Sequence, residues 1–420
     1  MKNIQRSIGR DVRRSQAGFS LVEVMVSVGI MTVIMGSTMA ALSQAMKANE
    51  TAQLVTVMNN SLRTGMDLMI RDMLQVGSGL PTGHFILIPS GDGGQMNMPG
   101  PPGTLYKSVI GDTDLNAVNP GTKLGPLVNL VGGGACSTEG PGCVKTDTIT
   151  TLAADSTFND IYMTARAANG TWIDVDPLVN IGTGPDRVIA GQLIMLQKIS
   201  YAILVQVTSV DASIHRIYFA NGVDSLNLNR HTAASGSMGK PCAAGGCTVA
   251  PLPTGLSASN SAADGGDIVP IVTVPPTVPA AQFLTTTATR VRMVTYYIDA
   301  TDASHPRLVR RINNGDPLLF DNTTGNTVAF DIDNLQISYD IADSITNPSK
   351  VKFVGADLTG AAGGACAPLP CSVNQIRKVN ITLSARSRDL YSVTKKFFHN
   401  ALSTQVSLRG MSFVNDYTEQ

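Results

Sequence analysis

Gly18-Phe19-Ser20-Leu21-Val22-Glu23 is the stretch around which the predicted fold is organised, because it opens a long apolar run. From Phe19 to Met46 the only charged side chain is that of Glu23, and most other residues are Val, Met, Ile, Leu, Ala, Gly, Ser or Thr. A run of this length exceeds the roughly 20 residues that an α-helix needs to cross a bilayer. We therefore predict that the helix spans a membrane over about 19–46.

The residues that precede the run predict the orientation of this helix. One acid, Asp11, stands among five basic residues: Lys2, Arg6, Arg10, Arg13 and Arg14. A basic cluster of this kind stays on the cytoplasmic side, so the rest of the chain is predicted to be exported. A secretory signal peptide would place small residues and its cleavage site after the apolar core, whereas the small residue Gly18 precedes the core here.

This arrangement resembles the cleavage site of type IV prepilins and related pseudopilins. In that family a prepilin peptidase cuts after the glycine, methylates the new N-terminal residue and leaves the apolar helix on the mature protein. The resemblance implies that residues 1–18 are a leader peptide and that the cleaved bond joins Gly18 to Phe19. Phe19 would then be the N-methylated residue, and Glu23 the fifth residue of the mature chain.

Glu23 is the unusual residue of the apolar run. A carboxylate inside hydrocarbon costs on the order of 3 kcal/mol even on lenient scales, so such residues usually have a partner. The resemblance implies that this partner is the N-terminal amine of a neighbouring subunit's Phe19, which would make Glu23 an assembly contact. The alternative is an acid near the helix end that reaches the lipid headgroups. The spacing leaves both open, and the Gly18–Phe19 junction favours the assembly contact.

The overall charge and composition bound the class of protein. The 420 residues include 31 Lys and Arg against 31 Asp and Glu. Without the leader the count becomes 26 against 30, a net charge near −4, so nucleic acid is not the predicted main partner. Charged residues make up 15% and aromatic residues 5% of the chain, which is typical of a β-rich, loop-rich extracytoplasmic protein.

The helical pattern continues beyond the predicted span. Six apolar residues recur at spacings of three or four, which indicates one face of an amphipathic helix: Leu54, Met58, Leu62, Met66, Met69 and Met73. Gly77-Ser78-Gly79 and the following Pro81 end the pattern. We predict one helix over 19–76, half membrane anchor and half spine of the domain that follows.

Residues 77–420 are predicted to form a β-rich head, which makes the fold class α+β. Residues 229–290 are poor in charge and rich in small residues and Pro, and are predicted to be a long surface insertion. The strands Val291–Ile298 and Arg307–Ile312 are predicted to pair as a hairpin. Further strands are predicted at Leu335–Tyr339, Val379–Ala385 and Phe397–Leu408.

Several short motifs make the family resemblance closer. Five stretches resemble the corresponding motifs of PilW-type minor pilins. They are the helix end Ile70–Gly77, the paired tyrosines Tyr296-Tyr297, the strand motif Leu308-Val309-Arg310-Arg311, the strand Leu335–Tyr339 and the terminal Ser407-Leu408-Arg409. J-type minor pseudopilins share much of this pattern. Residues 90–290 carry no such match, so partner-specific function is predicted to lie there.

The resemblance implies a minor pilin of a type IV pilus, placed in a priming or tip complex with other minor pilins and the major pilin. It would wait in the inner membrane, with a cytoplasmic N-terminus, for the pilus assembly machinery, and end in the extracellular fibre. A minor pseudopilin of a type II secretion system is the nearest alternative. A monomeric membrane-anchored adhesin or binding protein is an alternative of another class.

The six cysteines fall into three close pairs within Gly-, Ala- and Pro-rich stretches: Cys136 and Cys143, Cys242 and Cys247, and Cys366 and Cys371. An even number in an exported chain predicts disulfides. Pairing within each close pair is the simplest of the 15 possible connectivities. Zinc is disfavoured, because the spacings are irregular and no histidine lies beside the pairs.

The sequence holds no recognisable catalytic motif. It has no P-loop and no Gly-x-Ser-x-Gly elbow, and its five histidines are scattered. Asp112, Asp114 and Asn116 alternate like calcium ligands but lack the glycine and the distal glutamate of an EF-hand, so they are a weak candidate. We therefore predict a structural protein without a cofactor rather than an enzyme.

Overall fold

The computed structural model describes somewhat more than half of the chain in separate ranges. These are residues 18, 20–80, 86–88, 122–124, 127–130, 146–166, 171–182, 187–198, 201–220, 223–226, 228–229, 287–313, 326–344, 347–355 and 375–411. Phe19, the six cysteines and the calcium candidate Asp112, Asp114 and Asn116 lie outside these ranges. The methylation, disulfide and calcium predictions therefore stay predictions.

One long helix, α1 (Leu21–Met73), begins the described chain. It has 53 residues, which corresponds to a length of roughly 80 Å. The prediction extended the helix to Val76, but residues 74–79 form turns instead. Gly77 and Gly79 have positive φ values of 74° and 67°, a conformation that glycine adopts without the steric cost of a Cβ atom. The helix has already ended at Met73, and the two glycines redirect the chain in the turns that follow.

Thirteen strands in the described ranges form a large sheet. They are β1 (Ile86–Ile88), β2 (Thr122–Leu124), β3 (Leu127–Leu130), β4 (Thr148–Ala154), β5 (Ile161–Arg166), β6 (Trp172–Val175), β7 (Leu193–Lys198), β8 (Tyr201–Gln206), β9 (Ser209–Asp211), β10 (Arg216–Tyr218), β11 (Thr287–Asp299), β12 (Arg307–Ile312) and β13 (Asn326–Phe330). The main order is β2-β1-β8-β7-β11-β5-β6-β10-β9, and β12 and β4 also pair with β11. The long strand β11 therefore joins the parts of this sheet.

Four further strands form a small antiparallel sheet in the order β15-β14-β16-β17. Their bounds are β14 (Ile332–Ser344), β15 (Asn347–Gly355), β16 (Ile376–Arg386) and β17 (His399–Ser407). A short 3-10 helix, Arg409–Met411, follows β17. The backbone N–H of Asp147 donates to the carbonyl of Leu335, and its carboxylate accepts from the N–H of Ile337, so this residue links the two sheets.

The structure confirms the predicted hairpin in the last third of the chain. Strands β11 and β12 pair antiparallel, from Val294 opposite Ile312 to Asp299 opposite Arg307. The predicted insertion at 229–290 ends differently, since its last four residues, 287–290, begin β11 and pair with β7. The run Thr287-Ala288-Thr289 includes β-branched residues, which favour a strand.

The second half of α1 is part of the core of the head. Five of the six residues predicted to form its apolar face are buried: Met58, Leu62, Met66, Met69 and Met73. They pack with apolar side chains from both sheets, including Leu308, Leu383 and Val406. A Cβ atom on Gly65 would lie 3.0 Å from the side chain of Leu308. The glycine therefore lets the helix approach β12 closely.

Candidate functional site at the N-terminal helix and its junction with the head

The first half of α1 makes little contact with the head. All residues from 21 to 49 are exposed, and Glu50 is the first half-buried one. Among the described helices, α1 alone is long and apolar enough to cross a membrane, and its most apolar window has no buried residue. A soluble core helix would bury such a window. The exposure therefore requires another apolar environment, either a bilayer or other protein.

Four hydroxyl groups of this half, those of Ser27, Thr32, Ser37 and Thr38, are satisfied within the helix. Ser27 Oγ donates to the carbonyl of Glu23 at 2.7 Å, Thr32 Oγ1 to that of Val28 at 2.8 Å, and Thr38 Oγ1 to that of Ile34 at 3.0 Å. Hydrocarbon offers no hydrogen-bonding partner, so polar groups in a bilayer must be paired internally. These serines and threonines are thus compatible with a membrane span, which leaves Glu23 as its one charged group.

Glu23 lies in the first turn of α1, and its side chain is exposed. The spacing from Ser20 to Glu23 is also that of a capping box, in which the serine hydroxyl would accept from the N–H of Glu23. The side chain of Ser20 makes no such bond, and the turn is closed by its carbonyl, which accepts from the N–H of Glu23 at 2.9 Å. The serine therefore does not form its half of the capping box with Glu23.

Gly18 is exposed, and an ideal Cβ atom built on it would have no atom of the described residues within 4 Å. Packing against the described part of the chain therefore does not require a glycine at this position. A requirement for glycine would have to come from a second protein that grips the backbone closely. The predicted peptidase contact at Gly18 is of that kind, while its neighbour Phe19 lies outside the described residues.

A buried ionic cluster holds the other end of α1 against the head. Asp72, in the last turn, accepts hydrogen bonds from Arg310 Nε at 2.7 Å and Arg310 Nη2 at 3.1 Å. Tyr296 Oη donates to the same carboxylate at 2.5 Å. Tyr296 and Arg310 lie directly opposite each other on β11 and β12. One cross-strand pair thus supplies both partners of the helix carboxylate.

The protonation states of the cluster fit this arrangement. Burial raises the pKa of Tyr296, and the negative charge of Asp72 raises it further, so the phenol stays a neutral donor. Burial disfavours the charge of Arg310, but its hydrogen bonds and its attraction to Asp72 outweigh burial and raise its pKa. The cluster is therefore a paired carboxylate and guanidinium with a neutral phenol as third member.

The C-terminal 3-10 helix closes the same junction from another side. A Cβ atom on Gly410 would lie 2.3 Å from the carbonyl oxygen of Val76, so only a glycine fits there without movement of the backbone. The N–H of Gly77 donates to the carbonyl of Leu152 at 2.9 Å, and the N–H of Ala154 donates to that of Ser78 at 2.8 Å. Strand β4 therefore pairs with the turn that ends α1.

Comparison with known protein families identifies the N-terminal segment. Residues 13–39 match the prokaryotic N-terminal methylation motif. The chain carries a prepilin-type signal. This signal suggests a protein of the type IV pilin or pseudopilin families, and it implies processing by prepilin peptidase and assembly with pilus machinery. No curated protein and no solved structure matches the chain significantly.

Sequence reasoning missed the ionic cluster. A charged residue in an amphipathic helix ordinarily faces solvent, yet Asp72 is only 8% exposed. The tyrosine pair, the Leu308–Arg311 motif and the helix end Ile70–Gly77 each contributed to the family resemblance. Each of these stretches contributes one residue to the cluster, but no spacing in the sequence indicates that Tyr296 and Arg310 bind the carboxylate of Asp72.

Metal binding has no candidate in the part of the chain that the structure describes. No three His, Cys, Asp or Glu side chains of that part lie close enough to hold a metal ion. The carboxylate of Asp155 is instead paired with Arg290 at 3.0 Å and Arg292 at 3.3 Å. Burial opposes the charge of Asp155, but hydrogen bonds from Thr157 and these arginines outweigh burial and lower its pKa. This group fixes the turn after β4.

Proposed function

We propose that the protein is a minor pilin of the PilW type, a structural component of a type IV pilus. The observation that carries the proposal is the division of α1. A prepilin-type signal leads directly into a half-helix that is exposed along its whole length, and the same helix then becomes core of the head. A chain built this way can exchange one apolar environment of its helix for another without unfolding its head.

The exposed half would first lie in the inner membrane and then in a bundle of equivalent helices. Lipid contact would be replaced by protein contact, so the apolar residues stay out of water in both states. Glu23 is the one group that distinguishes the two states. In the bundle its carboxylate would pair with the methylated amine of a neighbour's Phe19, and the low dielectric around both groups strengthens that attraction.

The size of the head supports a minor rather than a major role. The described residues after α1 form two sheets with three clusters of buried apolar side chains. A head of this size fits poorly along a tightly packed shaft. We therefore place it at the fibre tip or in the priming complex, with other minor pilins.

The proposal gives the head a structural and recognition role rather than a catalytic one. The sequence supports this role, because it has neither a P-loop for phosphate binding nor the Gly-x-Ser-x-Gly elbow of a serine nucleophile. The polar clusters of the described head, such as Asp72 with Arg310, pair within the fold and connect its elements.

Recovery of the protein from sheared surface fibres tests the proposal. We expect the wild-type protein in the fibre fraction, at low abundance relative to the major subunit. The matched control is the full chain with Glu23→Gln, which should be absent from that fraction while remaining in the inner membrane. Recovery in fibres that form only when a type II secretion system is overproduced would instead identify a pseudopilin. A chain that keeps its leader and stays monomeric in the membrane would contradict both and favour an anchored adhesin.

A further inference from the structure

A loop between β16 and β17 reaches the helix beside the end of the predicted span. The loop, residues 387–398, is closed by the N–H of Ser387, which donates to the carbonyl of Phe398 at 2.8 Å. At its tip the N–H of Tyr391 donates to the carbonyl of Lys396 at 3.0 Å, and the N–H of Lys395 donates to that of Tyr391 at 2.9 Å. The rings of Tyr391 and Phe398 lie 5.1 Å apart. The loop is thus held together by its own backbone hydrogen bonds and by a contact between two aromatic rings.

Two contacts fix the height of this loop along α1. Asn400, just after the loop, bonds to Asn59 at 2.7 Å. Ser392, at its tip, donates to the carboxylate of Glu50 through its N–H at 3.1 Å and its Oγ at 2.6 Å. The nine-residue step from Glu50 to Asn59 spans roughly 13 Å of helix. The loop therefore descends along α1 from the head towards the span.

The tip of the loop coincides with the predicted headgroup layer. The apolar run ends at Met46. With Met46 placed at the outer edge of the hydrocarbon, Glu50, four residues further, lies roughly 6 Å beyond that edge along the helix axis. The polar layer on each side of a bilayer is about 5–7 Å thick, the difference between about 40–45 Å in total and about 30 Å of hydrocarbon. Ser392 and its neighbours are thus held at the level of the headgroups when α1 spans the membrane.

The side chains of the loop fit that environment. Leu390 is 47% and Val393 is 53% exposed, so both present apolar surface beside the span. Three basic residues of the loop, Arg388, Lys395 and Lys396, are exposed against the single acid Asp389. Apolar side chains that enter the acyl boundary, together with basic side chains that reach anionic headgroups, are the combination by which interfacial segments bind membranes.

We propose that the loop 387–398 is a membrane-contact foot that binds the outer surface of the inner membrane through anionic phospholipid headgroups. Leu390 and Val393 enter the interface, and Lys395 and Lys396 pair with lipid phosphates. Glu50 holds the loop in place through Ser392. The foot fixes the tilt and height of the head above the bilayer before the helix is extracted. This inference requires only that α1 spans the membrane, so it does not depend on the kind of fibre that the protein enters.

Tryptophan quenching by brominated phospholipids tests the foot. The chain has one tryptophan, Trp172, whose ring lies 3.5 Å from the guanidinium carbon of Arg216 in the head. The full chain with Val393→Trp is reconstituted into phosphatidylcholine vesicles with and without phosphatidylglycerol. The matched control is Val223→Trp, an exposed apolar position beyond β10 that is 71% exposed. We expect lipid quenching of the new tryptophan at 393 and no added quenching in the parent or at 223.

The lysines are tested in the Val393→Trp background. Lys395 has a positive φ of 55°, a conformation that asparagine tolerates well, so Lys395→Asn with Lys396→Gln preserves the turn. These changes should abolish the part of the quenching that depends on phosphatidylglycerol. Equal quenching of the tryptophans introduced at 393 and 223 would overturn the inference. It would also be overturned if the fluorescence of the tryptophan at 393 changed only when other pilins were added. If the chain without an introduced tryptophan failed to co-float with vesicles, the membrane span itself would be contradicted.

Discussion

Arg310 on β12 and Asp72 in the last turn of α1 form a two-bond ion pair between residues 238 positions apart in the sequence. Both side chains are largely buried, with 15% and 9% of their surface exposed. The phenol of Tyr296 completes the group. The contact joins the helix to the hairpin at the centre of the head, so a pull on the helix acts directly on the β11–β12 pair.

Asp72→Asn should lower the free energy of unfolding by about 3 kcal/mol, because Arg310 would keep a buried charge without its carboxylate. Chemical denaturation of the full chain in detergent measures the change. The matched control is Asp67→Asn on the same helix, where the side chain is exposed, and it should shift the free energy by less than about 0.5 kcal/mol. Equal effects of the two substitutions would show that the ion pair does not hold the helix end.

Tyr296→Phe should lower the free energy of unfolding by about 1.5–3 kcal/mol near neutral pH, because it removes a hydrogen bond to a charged acceptor. The pKa of Tyr296 is raised by burial and by Asp72. The stabilisation is therefore complete below the unfolded pKa of about 10 and is lost as the pH rises above it.

Unfolding of both proteins at about pH 8 and about pH 11 measures this dependence. The difference between wild type and Tyr296→Phe should shrink at the higher pH, where the wild-type tyrosine must stay protonated to fold. A difference that is the same at both pH values would mean that the phenol is not buried against Asp72.

Gly410→Ala tests the contact between the 3-10 helix Arg409–Met411 and the turn that follows α1. The new Cβ atom would lie 2.3 Å from the carbonyl oxygen of Val76, so the backbone must move. We expect a loss of about 1–3 kcal/mol in unfolding free energy, the usual cost of overpacking. Ser407→Ala, at an exposed position of β17, serves as the control. Thermal unfolding of the two variants side by side would show no difference if the 3-10 helix were loosely attached.

The fold was predictable from the sequence where a single periodicity decided the outcome. The stripe from Met58 to Met73 predicted the buried face of α1, and the alternating residues of Val291–Ile298 and Arg307–Ile312 predicted the hairpin. These are local signals, because each depends on residues two to four positions apart. The exact end of the helix was not predictable in this way, because the pattern runs to Val76 whereas α1 ends at Met73 and tight turns follow.

The junction was not predictable, because its residues are brought together by the whole fold. A charged residue next to Met73 in an amphipathic helix ordinarily faces solvent. Asp72 is buried because Tyr296 and Arg310 arrive from strands more than 220 positions later in the sequence. The need for glycine at position 410 was not predictable either, because it comes from the close approach of the carbonyl of Val76, which is far away in the sequence.

Glu23→Gln separates the two roles proposed for the first half of α1. The substitution keeps size and hydrogen bonding but removes the charge, so insertion into the membrane should be unharmed or slightly easier. Processing after Gly18 should proceed, while the attraction to a neighbour's amine is lost. We expect a processed protein that stays in the membrane fraction and is missing from sheared fibres. Wild-type amounts in fibres would favour the alternative in which Glu23 only reaches the headgroups.

The N-terminal mass of the membrane-extracted protein tests the central claim most directly, because the account depends on cleavage between Gly18 and Phe19. We predict a chain that begins with methylated Phe19, and a Gly18→Val variant that keeps all 18 leader residues. No atom of the described residues lies within 4 Å of a Cβ atom at position 18, so valine should not disturb the described fold. A wild-type chain that begins at Met1, or one cut beyond the apolar run at Met46, would contradict the account.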